Sequence, residues 1–196
     1  MSHGCKILVI DDEPITRMDI REMLQEEGYA VIAEGKNGEE AIELAHKWQP
    51  DLIVMDVKMP VMDGIKAAGI IRKTCDSAVL LLTAYSQKEL VGNAKEAGVA
   101  AYLVKPVSEE DLIPAVEIAL SQRCRVQSLK KDITDLKQKM EERKTIERAK
   151  GMIMKTHALS ETEAYDWLRN NSMKLRIPMM KLASQILGSN ERLKTH

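Results

Sequence analysis

The chain has 196 residues, 44% hydrophobic and 30% charged, a mixture that excludes a disordered tail and leaves room for one or two small domains. Its net charge of −1 conceals two opposed halves: up to Leu120, 12 Lys and Arg face 21 Asp and Glu, a balance of −9, whereas from Ser121 onward 17 face 9, a balance of +8. An acidic body suits cations and metal-assisted phosphate chemistry, and a basic tail suits a polyanion such as nucleic acid or the acidic body itself.

In chain order, the first 120 residues alternate short apolar runs with helical patterns. Lys6 to Ile10, Ala30 to Glu34, Asp51 to Met55, Ala78 to Leu82 and Ala100 to Val104 read as strands, nearly continuous in Val, Ile and Leu. Continuous apolarity belongs to strands buried on both faces, as in a parallel sheet between helices. Pro14 suits a first helical turn and Gly28 its end. Asn37, Ser86 and Ser108 each stand three residues before an acidic residue (Glu40, Glu89, Asp111), the capping-box spacing. Five strands and five helices with right-handed crossovers predict a doubly wound five-stranded parallel sheet. Its crevice lies beyond the carboxyl ends of the strands.

After Pro114 no Gly or Pro occurs until Gly151, and Val126, Leu129, Ile133, Leu136 and Met140 recur at alternating spacings of three and four. That heptad pattern predicts a helix leaving the α/β domain and pairing with a copy of itself, or folding back onto its own protein. From Arg143 to Leu187 the pattern stays helical, with breaks at Thr156 to Leu159 and Lys174 to Ile177 and a capping box at Ser160 and Glu163. This predicts a small all-α three-helix module with Ile146, Ala149, Ile153, Ala164, Leu168, Leu175, Leu182, Ala183 and Ile186 in its core. The boundaries expected are 5–120 for the α/β domain, 121–142 for the coiled-coil linker and 143–190 for the helical module. No run reaches the roughly 20 apolar residues that span a bilayer. Met1 to Lys6 lacks the order of a secretion signal, and Cys5, Cys75 and Cys124 are odd in number and scattered; a reduced cytoplasm is the expected location.

The chemistry gathers at strand ends. Asp11 and Asp12 follow the first strand and Asp56 the third, so a parallel sheet brings three carboxylates to one edge. Such like charges repel unless a cation neutralises them, and oxygen-only donors suit Mg²⁺ rather than zinc. Thr83 after the fourth strand and Lys105 after the fifth add a hydroxyl and an ammonium to the same rim. A carboxylate nucleophile, a metal, a lysine and a hydroxyl are what phosphoryl transfer to an aspartate requires, and Asp56, alone at the central strand, is the expected acceptor. Downstream, Arg143, Lys144, Arg148, Lys150 and Lys155 lie along one helix, Arg169, Lys174 and Arg176 surround a turn, and Lys181 starts the next helix. Each can neutralise a phosphate, and Tyr165 and Trp167 offer surfaces for stacking. His157 and His196 stand isolated, so no metal cluster is expected there and the module reads as an output by binding, not as an enzyme. Gly151 is an anomaly, because glycine inside a helix costs about 1 kcal/mol relative to alanine. Close approach of a packed helix or of a nucleic-acid strand would offset it.

Ile10-Asp11-Asp12-Glu13-Pro14, Met55-Asp56-Val57-Lys58-Met59-Pro60 with Asp63-Gly64, Thr83-Ala84 and Lys105-Pro106 together resemble the receiver domain of two-component response regulators, over residues 5 to 120. The resemblance implies that Asp56 accepts phosphate from a histidine of a sensor kinase, and that Asp11, Asp12, Asp56 and the backbone carbonyl of Lys58 hold Mg²⁺. It also implies that Thr83 and Tyr102 form a switch pair. The run Glu142-Arg143-Lys144 to Glu147-Arg148-Ala149-Lys150-Gly151-Met152-Ile153-Met154, with Ser160-Glu161, Ala164-Tyr165, Leu168-Arg169 and Leu182-Ala183, resembles the ANTAR family of RNA-binding antiterminator modules. The order receiver, coiled coil, ANTAR is similar to response regulators of ethanolamine-utilisation operons, and implies a phosphorylated homodimer that binds messenger RNA stem-loops and prevents termination. Two other classes remain open: a DNA-binding regulator, although no helix-turn-helix pattern is evident, and a module that binds only protein.

Overall fold

The computed structural model describes residues 4–84 and 99–193, with side chains described up to Gly188. Its strands are β1 (Lys6–Ile10), β2 (Ala30–Gly35), β3 (Leu52–Asp56), β4 (Ala78–Thr83) and β5 (Ala101–Val104). Its helices are α1 (Pro14–Glu26), α2 (Gly38–Trp48), α3 (Gly64–Thr74), α4 (Glu109–His157), α5 (Glu161–Leu175) and α6 (Met179–Leu193). The helix expected from Ser86 and Glu89 lies outside the described residues.

The five strands form one parallel sheet in the order β2-β1-β3-β4-β5. This is the flavodoxin-like order, and its switch point falls between β1 and β3. Strand residues alternate between two cores. Ile7, Val9, Leu52, Val54, Leu80 and Leu82 pack with Ile20 and Leu24 of α1 and with Leu112, Val116 and Ala119 of α4. Leu8, Ile10, Ile53, Met55 and Leu81 pack on the other face with Ala41 and Ala45 of α2 and Ala67, Ala68 and Ile71 of α3. Continuous burial holds for β3 and β4 but not for β2 and β5, whose residues are partly open. Near-continuous apolarity predicts strands buried on both faces; edge position explains the difference at β2 and β5, since an edge strand is covered on fewer sides.

Local signals account for most helix ends. Pro14 occupies the first turn of α1 and Gly28 follows it at φ 81°, a left-handed position that glycine adopts without penalty. The side chains of Asn37 and Asp63 accept hydrogen bonds from Glu40 N and Lys66 N. Ser108 Oγ accepts from Asp111 N at 3.3 Å.

Two compact units divide within α4, Met1–Ser128 and Leu129–His196. In the first, Arg123 of α4 pairs with Asp51 at 2.7 Å and donates to the Asp76 carbonyl at 2.6 Å. Asp51 also accepts from Lys6 N at 2.8 Å. These bonds tie α4 to the amino ends of the strands, the edge opposite Asp56. The seam residues Val126, Leu129, Ile133, Leu136 and Met140 are 51–60% exposed and belong to none of the buried cores.

In the second unit Ala149, Ile153, Ala164, Leu168, Leu182 and Ala183 form a buried core, with Ile146 and Ile186 packed against it. Leu175 is a correction: it is 59% exposed, and Ile177 packs against the core instead. Leu175 is the last residue of α5, where the core ends just before the chain turns. Arg176 adopts φ 54°, ψ 39°, its N–H bonds to Met173 O, and Ile177 N bonds to Ser172 O, a Schellman ending. The Ser160–Glu163 capping box forms with both bonds present. His157 is not isolated as expected, because its ring stacks on Trp167 with centroids 5.6 Å apart. No helix among the described residues is long and apolar enough to cross a membrane.

Candidate functional site

The polar residues that end β1, β3 and β4 stand where the packed sheet stops and the loops begin. Asp11 is fully buried and Asp56 and Thr83 nearly so, whereas Asp12 is exposed. Lys105 follows β5, and its ammonium reaches back across the crevice to Asp11 Oδ2 at 2.8 Å and Asp56 Oδ1 at 3.0 Å. The other Asp11 oxygen accepts from Glu13 N at 2.9 Å, so that carboxylate is held at both ends. Burial pushes the Asp56 carboxyl above its ordinary range; the Lys105 hydrogen bond and charge pull it back, and the Asp11 charge pushes it up again. Burial by itself draws the Lys105 ammonium down, but its hydrogen bonds to Asp11 and Asp56 outweigh that and raise it.

Asp11, Asp12 and Asp56 each place a carboxylate oxygen within 4.8 Å of the others. Three carboxylates against one ammonium leave an excess of negative charge in a partly buried crevice. An all-oxygen donor set with that excess fits a hard divalent cation such as Mg²⁺. Lys58, whose backbone carbonyl was expected to complete the set, lies exposed just beyond β3. Thr83 stands beside the pocket through the ladder, its carbonyl accepting from Lys105 N at 2.8 Å. Tyr102 is 47% exposed on β5, opposite Leu81 in the register.

Sequence reading gives no role to two supports of this pocket. Arg17 donates to the Asp11 carbonyl at 2.7 Å while its Nε pairs with Glu34 at 3.0 Å, clamping the β1–α1 loop. Gly64 lets α3 start against the end of β3: a Cβ there would run into the Asp56 carbonyl oxygen. Only the positions of the residues are written in the sequence; that they meet in space is not.

The basic residues of the second unit separate into different settings. Arg143, Lys144, Arg148, Lys155, Arg169, Lys174, Arg176 and Lys181 are exposed. Lys150 is not: it is buried, with its ammonium 2.6 Å from Glu147 and 2.8 Å from Glu161. Hydrogen bonds to Glu147 and then Glu161 raise its pKa, and the same bond lowers that of Glu161. Of the two aromatic candidates, Trp167 leans on the core and Tyr165 is exposed.

Comparison with known proteins matches residues 7–117 to the response regulator receiver domain and residues 134–187 to the ANTAR domain. The chain belongs to the response regulators, with an ANTAR output domain. It is 43% identical over 182 residues to the transcriptional regulatory protein PdtaR of Mycobacterium tuberculosis, covering 93% of this chain and 89% of that protein. Among solved structures, the receiver is similar to a LuxR-family two-component response regulator from Aurantimonas (TM-score 0.57, 33% identity, 60% of this chain and 86% of that one). It is also similar to a chain of the CheX–CheY–BeF₃–Mg²⁺ complex from Borrelia burgdorferi (TM-score 0.55, 25% identity, 57% of this chain and 86% of that one). In this response regulator the receiver pocket and the ANTAR helices are thus parts of one chain that shares nearly its whole length with a transcriptional regulator.

Proposed function

We propose that this response regulator is switched by phosphorylation of Asp56 and acts as a dimer that binds stem-loops of nascent messenger RNA, preventing transcription termination. The observation that carries the proposal is the Lys105 ammonium shared between buried Asp11 and Asp56, in a chain whose other end carries an exposed basic helical face.

In the receiver, an Asp56 carboxylate oxygen attacks the phosphorus of a phosphohistidine presented by a sensor kinase. The new bond is an acyl phosphate; the phosphorus–nitrogen bond breaks and its electron pair stays on the imidazole, which takes up a proton. Asp11, Asp12, Asp56 and the Lys58 carbonyl are the residues that would hold Mg²⁺, which when bound neutralises the phosphoryl oxygens. Lys105 then moves from Asp56 to the incoming phosphoryl group, Thr83 donates its hydroxyl to it, and Tyr102 follows into the space released. The added charge is felt where α4 begins, four residues after Lys105, and α4 carries the seam.

The heptad register places Val126, Ile133 and Met140 at one core position and Leu129 and Leu136 at the other. β-Branched residues at the first with leucine at the second favour a parallel two-stranded coil. A parallel dimer presents two ANTAR modules side by side, which suits paired stem-loops. The cytoplasm, where transcripts are made, is the matching location.

The test is a salt-dependent gel shift of the full chain, with and without beryllofluoride and Mg²⁺, on a two-hairpin RNA and on duplex DNA. Beryllofluoride-enhanced, salt-sensitive retention of the RNA is the expected result. Preference for the duplex would move the protein to the DNA-binding class, and no retention of either would leave the module as a protein-binding output.

A further inference from the structure

Gly151 sits in the interior of α4, where a helical glycine calls for compensation, and packing against another helix is one such compensation. The structure corrects that expectation: among the described residues nothing lies within 4 Å of where its Cβ would be. Geometry explains why. Ala149 and Ile153, two positions to either side, are buried in the core, so Gly151 faces away from α5 and α6.

The face it occupies is charged. With about 100° of rotation per residue, Lys144, Arg148 and Lys155 fall within about 60° of Gly151. All three are exposed. Neither Arg148 nor Lys155 has an ion-pair partner among the described residues, whereas Lys144 pairs with Glu141 at 2.7 Å. The acidic residue on this face, Glu147, is held by Lys150 at 2.6 Å. A depression of about 500 Å³ lined by Met140, Arg143, Lys144, Glu147 and Arg148 continues the face toward the seam. Cations thus stand above and below a half-buried position that carries no side chain and has open space where one would be.

We propose that Gly151 is the point of closest approach of an RNA strand to α4, with Arg148 and Lys155 neutralising the phosphates on either side of it. The proposal rests on the reading that the module binds RNA and adds the place where the strand lies. A second copy of the same face is disfavoured as the occupant, because Arg148 and Lys155 would meet their own like charges. An anionic backbone is attracted by both, and a methyl group at position 151 would hold it away.

The experiment exploits opposite signs. In the free protein Gly151→Ala has open space and a better helix former, so the midpoint of thermal unfolding of the ANTAR unit rises by about 4 °C or more. Affinity of the full chain, loaded with beryllofluoride and Mg²⁺, for a two-hairpin RNA library with randomised loops falls at least tenfold, and further for Gly151→Leu. Gly69→Ala, a helical glycine of the receiver that also has nothing within 4 Å, leaves RNA affinity unchanged. If Gly151→Ala binds the library as the unaltered protein does, this inference alone falls. If it changes the monomer–dimer equilibrium by sedimentation instead, the glycine faces a second copy and the inference falls as well. If the unaltered protein retains no RNA, the proposed function fails and takes this inference with it.

Discussion

Replacing Lys105 by Met removes the ammonium that lies between two buried carboxylates and keeps most of the apolar stem. Its contacts of 2.8 and 3.0 Å each contribute about 6 kcal/mol of attraction at an effective dielectric near 20. Several kcal/mol of desolvation oppose this, and breaking such a buried arrangement costs about 3–5 kcal/mol because the partner charges stay behind unpaired. The expected loss is therefore about 3–5 kcal/mol in receiver stability at pH 7 without divalent cations, measured by urea unfolding. The pH dependence has a definite sign. The Asp56 carboxyl is already raised by burial, and losing Lys105 raises it further. A carboxyl raised on folding binds a proton more tightly in the folded chain, so its penalty fades as pH falls from the folded toward the unfolded value. The deficit of the variant should be smaller at pH 5 than at pH 7, and Mg²⁺ at pH 7 should recover part of it. An equal deficit at both pH values, or none at all, would refute the electrostatic account of the pocket.

Asp56→Asn should abolish labelling by acetyl phosphate in a mass-spectrometric assay while making the receiver more stable at neutral pH, since a buried, repelled carboxylate is removed; a phosphorylated variant would contradict the acceptor assignment. Leu129→Lys with Ile133→Lys should leave thermal unfolding of both units nearly unchanged and weaken the dimer at least tenfold in sedimentation, because half-exposed seam residues stabilise only the paired state. Gly64→Ala should lower receiver stability by about 3 kcal/mol in urea, since the new methyl meets the backbone oxygen of Asp56 rather than a side chain that can yield. Lys150→Met should lower the melting temperature of the ANTAR unit. Arg148→Ala should leave that temperature alone and reduce the salt slope of RNA binding by about 1; identical behaviour of the two variants would erase the distinction drawn between them.

Much of the pocket is legible because each of its residues follows an apolar run, and a parallel sheet of known strand order can bring those ends to one edge only. Asp11, Asp56, Thr83 and Lys105 meet for that reason, although 94 residues separate the bonded pair Asp11 and Lys105. The seam and the module core are legible through helical spacing. What spacing does not carry is the neighbour across the gap. Arg17 looks like any helix-surface cation, yet it holds the Asp11 carbonyl. Lys150 belongs to the same basic run as Arg148, yet it turns inward to Glu147 and Glu161. Leu175 satisfies the helical period, but it is the last residue of its helix and stands in solvent, and Ile177, beyond the turn at Arg176, packs on the core instead.

That difference between Lys150 and its neighbours changes how the charge asymmetry of the chain is to be read. Glu161 is lowered, so its bond to Lys150 persists until acid protonates it, and Lys150 is raised, so the bond persists until strong alkali. Across the whole neutral range this cation fastens α5 to α4 and is satisfied within the chain. The excess of positive charge in the second half therefore does two kinds of work. Part of it fixes the geometry of the three helices, and the exposed remainder, aligned by that geometry along α4 and around the α5–α6 turn, supplies the field that a polyanion meets. A count of basic residues cannot tell these apart, but burial can: Arg148 and Lys155 are exposed on either side of the half-buried Gly151, where an added Cβ would meet open space.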